Sequence, residues 1–206
     1  MKITCINGSP KTRRSASARI ADALSAKIGG AAECVVCGAA ELDRGEAPAA
    51  FRGSDALVFV FPLYVDGIPS HLLRFLDESL HDIAEAASGA TVYAVVNNGF
   101  FEGRQNAVAL EIMRNFAARA GLRWGLGLGV GAGGMIHAAP VGRGPLRNLG
   151  KALDALASEI LANQTGEDRV CEPNFPRALY KALAHAGWRK SARKNGLKTK
   201  SLYAKP

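Results

Sequence analysis

The sequence predicts an α/β domain built on a parallel sheet with helices on both faces, followed by a basic helical tail. Three observations carry this. Strand-like and helix-like segments alternate five times over residues 1–163, with connections too short for hairpin-rich architecture. Residues 56–61 (Ala-Leu-Val-Phe-Val-Phe) are apolar throughout, as a central parallel strand covered on both faces requires. Finally, nine of the 26 Lys and Arg residues but none of the 18 Asp and Glu residues fall within 173–206. The remainder therefore holds 17 basic against 18 acidic groups, and the tail carries the whole positive excess.

A chain of 206 residues with 48% hydrophobic content suits one sizeable domain, placed at 1–165, with an extension at 166–206. Its longest apolar runs are far shorter than a membrane span, and the N-terminus lacks the layout of a signal peptide, so the expected location is the cytoplasm. Four cysteines, irregularly placed, do not make a disulfide framework. With its main domain near neutrality, the chain gives no reason to expect nucleic-acid binding there.

Residues 2–6 alternate as a strand and end in Asn7-Gly8. A helix follows over 15–28, with Ile20, Ala23, Leu24 and Ile28 on one side. A helix N-terminus leaves backbone N–H groups unpartnered and carries partial positive charge, so an anion docks there readily. Ser9, Ser15 and Ser17 add hydroxyl donors, and Lys11, Arg13 and Arg14 raise the potential. The plain alternative is an ordinary turn with Ser15 as N-cap. Residues 32–36 form a second strand, and 38–54 read as an irregular connection. Cys34 and Cys37 have C-x-x-C spacing, yet three positions apart on a strand they face opposite sides, and no second pair of ligands follows; a structural role is expected.

The third strand, 56–61, leads through 62–69 into a helix over 70–87 with Leu72, Leu73, Leu76, Leu80 and Ile83 periodic. A fourth strand covers 91–96, then the turn 97–101, and a helix 104–120. In the fifth strand, 124–130, Gly125, Gly127 and Gly129 leave one face without side chains, so something approaches that backbone closely. A glycine-rich loop, 131–135, and a helix over 145–163 complete the domain.

Ligands of such sheets bind at the carboxyl ends of the strands near the point where strand order reverses. In strand order 2-1-3-4-5, the loops after the first, third and fourth strands converge. The first offers phosphate donors. The second offers Leu63, Tyr64 and Val65 as an apolar and aromatic wall, although Tyr64 fits rim packing equally well. The third offers amides and backbone N–H groups, with Phe100 and Phe101 beside them. Together they describe a ligand with a phosphate at one end and a flat heteroaromatic ring at the other. The chain has neither the G-x-x-x-x-G-K-[ST] of a triphosphate site nor the G-x-G-x-x-G of a dinucleotide site.

On Gly8-Ser9-Pro10-Lys11 with Ser15-Ala16-Ser17, Pro62-Leu63-Tyr64-Val65-Asp66-Gly67-Ile68-Pro69 and Asn98-Gly99-Phe100, the sequence resembles the flavodoxin-like NAD(P)H-dependent FMN reductase family over residues 1–163. The resemblance implies a flavodoxin-like, doubly wound five-stranded sheet and FMN as cofactor. Ser9, Lys11, Ser15 and Ser17 would hold the phosphate, with Ala16 contributing only its backbone N–H where many relatives carry Asn. Pro62, Leu63, Tyr64 and Val65 would lie against the ring, and Asn97, Asn98, Gly99 and Phe100 would meet its polar edge. The implied activity passes electrons from NADPH or NADH through FMN to a small acceptor: a quinone, nitro compound, metal ion or flavin. This scheme requires no side-chain acid or base, and the backbone N–H groups of the 97–101 turn would serve the ring where negative charge develops. Of the two histidines near strand-end loops, His137 is left without a role and His71, in the first turn of a helix, is expected to be solvated.

A homodimer is usual in that family. Some relatives carry an iron–sulfur cluster on a compact run of cysteines; this chain has no such run, and no metal is expected. Against the electron-carrier flavodoxins, the chain is longer, its main domain is not strongly acidic, and its first loop lacks T-x-T-x-x-T, which favours an enzyme. The alternative from another class is a non-catalytic flavodoxin-like module that engages an anionic partner through its tail.

In that tail, 174–176 starts a helix with Pro176 near N1, and Leu179, Leu183 and Ala186 share a face. Trp188 with Arg189, Lys190, Arg193 and Lys194 makes the next turns basic, and Asn195-Gly196 ends it. Two readings stay open. One is contact with an anionic membrane surface or acidic partner; the other is a helix packed on its own domain or across a dimer, its charges solvated.

Overall fold

Six strands, all parallel, make one sheet in the order β2-β1-β3-β4-β5-β6 in the computed structural model, which describes residues 1–11, 14–38 and 47–204. Arg13 and the charged stretch 39–46 lie outside the described residues. The strands are β1 (Lys2–Asn7), β2 (Glu33–Gly38), β3 (Ala56–Pro62), β4 (Thr91–Asn97), β5 (Arg123–Val130) and β6 (Arg169–Cys171). The helices are α1 (Ala16–Ile28), α2 (Ala47–Phe51), α3 (Ser70–Glu78), α4 (Leu80–Ala86), α5 (Ala107–Arg119), α6 (Arg147–Leu161) and α7 (Arg177–Lys194). The flavodoxin-like parallel sheet expected from the sequence is present with one strand more. β6 lies in the stretch assigned to the extension, and with two of its three residues exposed it shows no apolar period to read.

Helices cover both faces because the central strands β3 and β4 are buried along both. On one face, Phe59, Phe61, Ala94 and Val96 pack against Phe51 of α2, Leu72, Phe75 and Leu76 of α3, Ile83 of α4 and Leu110, Met113 and Phe116 of α5. On the other, Ile3, Cys5, Val58, Val60 and Val95 pack against Ile20 and Leu24 of α1 and Leu149, Leu153 and Leu156 of α6. The helix expected over 70–87 is two, α3 and α4, because the backbone at Ser79 departs from helical angles (φ −101°, ψ 13°), yet Phe75, Leu76 and Ile83 still reach one cluster. Short 3-10 turns, Gly103–Asn106 and Gly144–Leu146, begin the stretches read as the starts of α5 and α6.

The three glycines of β5 do not share a face. The β4–β5 register runs Val92↔Trp124 and then Ala94↔Gly127, so two residues of β5 oppose one of β4, and this bulge turns Gly125 to the other side. A Cβ at Gly125 would sit 2.4 Å from the Tyr93 ring, and one at Gly127 2.6 Å from Leu110. At Gly129 it would meet the Gly103 carbonyl at 2.6 Å. Close approach was the right inference; its direction was hidden by the bulge.

Asp168 secures this edge just before β6 begins. Its Oδ1 accepts from the Gly127 N–H at 2.7 Å and the Trp124 indole N–H at 3.1 Å, and its Oδ2 pairs with Arg114 at 2.6 Å. Arg114 also lies 5.9 Å from the Trp124 ring centroid.

The C-x-x-C pair divides as strand geometry requires: Cys34 packs with the α1 side of the sheet and Cys37 with the α3 side. Burial, with Cys34 and Cys37 nearby, holds the Cys5 thiol far above its ordinary range, and burial pushes Cys171 up to about 11.

Residues Met1–Pro173 and Asn174–Pro206 form two compact units. In the second, α7 ends where Gly196 takes φ +71° and the Leu197 N–H returns to the Ala192 carbonyl at 2.9 Å, before a 3-10 turn over Thr199–Tyr203. Leu179, Leu183 and Trp188 are exposed. Among the described residues, no helix is long and apolar enough to cross a membrane.

Two outcomes are expected. Asp168→Ala removes the acceptor for two partly buried N–H groups and should lower stability by about 2–3 kcal/mol in chemical denaturation, with Asp168→Asn losing less. At neutral pH, Cys5 and Cys171 stay protonated, so mass spectrometry after thiol alkylation should find both unmodified until the chain is unfolded.

Candidate functional site

The carboxyl ends of β1, β3, β4 and β5 surround a cleft of about 260 Å³. Its first wall begins where β1 runs into Gly8. The Gly8 N–H donates to the Val60 carbonyl at 2.9 Å, and a Cβ there would lie 2.6 Å from Leu72 and 2.9 Å from Phe61, so only glycine lets β1 leave the sheet beside α3. The Asn7 side chain then accepts from the Ser9 N–H at 3.2 Å, and Ser9 Oγ from the Lys11 N–H at 3.3 Å. Arg14 follows in the left-handed region (φ 54°), which turns the chain into the extended N-cap Ser15.

Ser15 Oγ accepts from the Ala18 N–H at 3.0 Å, which leaves the Ala16 and Ser17 N–H groups with no acceptor among the described residues. Ser9, Ser15 and Ser17 are all buried at the cleft wall. Each of their hydroxyl oxygens already accepts a hydrogen bond, Ser17 Oγ from Asn97 Nδ2 at 2.8 Å. Each O–H proton is thereby left to donate, and an anion is the partner that accepts several at once.

The second wall is Pro62, Leu63 and Tyr64. The Leu63 N–H donates to the Asn97 carbonyl at 2.8 Å, and Tyr64 and Gly67 exchange backbone hydrogen bonds at 3.0 Å across a tight turn. At its tip Val65 (φ 49°) and Asp66 (φ 57°) are both left-handed, a strained setting for a β-branched residue. Val65 is fully exposed and does not line the cleft.

Asn97, Asn98 and Gly99 line the third wall; Phe100, half exposed, does not. Asn97 is buried, and its Nδ2 donates to Ser17 Oγ and to the Phe61 carbonyl at 3.0 Å. Asn98 closes its own turn: Oδ1 accepts from the Phe100 N–H at 2.8 Å and Nδ2 donates to the Glu102 carbonyl at 3.1 Å. The Asn98 N–H is engaged by the Val130 carbonyl at 3.0 Å. Backbone donors of this turn that the sequence suggested for a ligand are thus committed at Asn98 and Phe100.

A fourth wall, absent from the residues singled out in the sequence, comes from the loop after β5. Ala132 is left-handed (φ 53°), and the Gly133 N–H donates to the Asn98 carbonyl at 2.6 Å. A Cβ on Gly133 would lie 2.8 Å from that same oxygen, so the two loops touch because the residue is glycine. Gly134 and His137 then face the cleft, and the Gly134 N–H has no acceptor among the described residues. Arg14 joins the lining too. The paired glycines after an apolar strand were the available signal. With Lys11 and Arg14 present and no carboxylate among the described lining residues, the cleft favours anions.

Solved structures share this fold. An NADH:FMN oxidoreductase, in its apo form, matches with a TM-score of 0.62 and 18% identity over 81% of this chain and 91% of its own. The Trp repressor binding protein of Bacillus subtilis matches with a TM-score of 0.58 and 18% identity, over 75% and 96% of the two chains. A flavodoxin of Streptococcus pneumoniae gives 0.57 and 16%, over 79% and 99%. No family model and no curated protein matches the sequence. At these identities the likeness establishes the flavodoxin-like fold.

Asn97→Ala should release the Phe61 carbonyl and Ser17 from their shared donor. The expected loss is about 1–3 kcal/mol of stability, measured by thermal or denaturant unfolding.

Proposed function

We propose that the chain is an FMN-dependent oxidoreductase that passes electrons from NADPH or NADH to a small acceptor such as a quinone, nitro compound, metal ion or flavin. One observation carries the reading: a single cleft has buried, proton-donating hydroxyls and open helix N–H groups at one end, and an apolar wall facing a glycine-lined backbone edge at the other. Proteins whose names describe FMN reduction share the fold, which supports the same assignment.

The residues present fit FMN. Ser9, Ser15 and Ser17 donate O–H, and Ala16 and Ser17 donate N–H, to the phosphate, while Lys11 and Arg14 supply positive charge and the α1 dipole adds to it. Pro62, Leu63 and Tyr64 present the apolar surface against which a flat ring excludes water. Gly99, Gly133 and Gly134, without side chains, would let the ring edge approach backbone, and the Gly134 N–H would be available to donate to it. When bound, FMN would supply the exchange of a hydride or electrons between nicotinamide and acceptor. No carboxylate among the described lining residues competes with the phosphate, and the chain need provide no acid or base. We further propose a cytoplasmic homodimer.

Titration of the purified protein with FMN should give a tight complex whose flavin absorbance is bleached by NADPH or NADH. Ser9→Ala, which removes one hydroxyl from a charged group, should weaken FMN binding by about tenfold or more in a chain that still folds, with a small loss of stability from the lost Lys11 N–H acceptor. A protein that gains neither colour nor thermal stability from FMN would overturn the assignment.

A further inference from the structure

The unit Asn174–Pro206 carries chemistry that the cleft does not use. Its sequence holds nine Lys and Arg and no Asp or Glu, whereas the rest of the chain is balanced. At about 100° per residue, the pairs Arg177 and Lys181, Arg189 and Arg193, and Lys190 and Lys194 fall on three different sides of α7, so positive charge surrounds the helix instead of forming one stripe. Large apolar side chains stand exposed among these cations. On α7, Leu183 is 56% and Trp188 67% accessible; beyond it, Leu197, Leu202 and Tyr203 are exposed as well, Tyr203 to 65%.

We propose that Asn174–Pro206 docks on an anionic lipid surface. The cations pair with headgroup phosphates and carboxylates, and Trp188 and Tyr203 seat at headgroup depth. Both halves of the composition select this partner. A nucleic-acid backbone would satisfy the cations and leave the leucines in water. A lipid interface receives both, because tryptophan and tyrosine favour its boundary region while Lys and Arg stems cover apolar surface and lift their charges to the phosphates. Cations on several sides of α7 reach headgroups through long, flexible stems. A rigid acidic protein would serve one side. The attraction grows with each basic residue near the leaflet and falls with salt. This proposal is independent of what the cleft binds.

The test uses the full chain with phosphatidylserine–phosphatidylcholine vesicles and with pure phosphatidylcholine vesicles. Co-sedimentation should occur with the first and not the second, and added salt should reverse it. Tryptophan emission should shift to the blue on binding, and the shift should vanish in Trp188→Phe, which retains Trp124 as an internal reference. Replacing Lys190, Arg193 and Lys194 together by Glu should lower vesicle partitioning by about a hundredfold or more, with thermal unfolding unchanged. Four results would overturn the proposal: no retention on anionic vesicles; retention without a Trp188 shift, which is charge attraction alone; tighter binding to single-stranded RNA or polyglutamate than to vesicles; or Trp188 already buried without lipid in a self-associated form.

Discussion

One buried amide holds the candidate site open. Asn97 stands at the end of β4, between the strand that leads to the apolar wall and the helix that presents its N-terminus, and its Nδ2 bonds to both Phe61 and Ser17. Its carbonyl receives the Leu63 N–H, so side chain and backbone of one residue tie β3, β4 and α1 together. A parallel sheet needs such a device. Its strands end in loops that are covalently far apart, and nothing in the ladder itself fixes how those loops lean once the strands stop. With the donor buried, the contact cannot be exchanged for water without cost, so loop spacing becomes a property of the fold.

The other side of the cleft is set by removal of bulk. Gly8 lets β1 pass between Leu72 and Phe61, Gly133 lets the loop after β5 rest on Asn98, and Gly129 lets the turn before α5 rest on β5. At each, a Cβ would strike an atom within 3 Å, so these are packing glycines that let neighbouring elements close up around the cleft. Asp168 plays the matching part at the sheet edge. It takes the Gly127 N–H, the strand donor just ahead of the short β6, which pairs with β5 only from Leu128 onward.

Most of the architecture was legible because each element had a period of its own: the fully apolar β3, the alternating β1, the helical faces of α1 and α6. What was not legible was carried by relations between elements. The bulge in β5 depends on its pairing with β4, which no window of sequence contains, and it sent Gly125 to the opposite face. β6 is too short to show a period. In the site, Ser9, Ser15 and Ser17 could be placed from the turn and cap chemistry around them, and the structure brings all three to one wall. Val65 and Phe100 follow their neighbours in sequence but not in direction, since a left-handed turn and an Asn98-closed turn point them elsewhere. Gly134 and His137 reach the cleft only because Gly133 lets their loop cross the end of β4.

The distribution of charge would give the two proposed kinds of anion recognition different physics. In the cleft, positive potential acts through buried hydroxyls, helix N–H groups and a few cations, at short range and in partial exclusion of water, where salt screens weakly. In Asn174–Pro206 it acts through exposed side chains that salt screens strongly, and it needs many of them because each contributes little. The near-neutral remainder of the first unit lets these two systems remain independent: no broad field draws polyanions to the cleft, and no carboxylates in the second unit neutralise its own surface. Ionic strength would therefore distinguish the two proposals, since moderate salt would weaken attachment through the exposed cations long before it disturbed an anion at the N-terminus of α1.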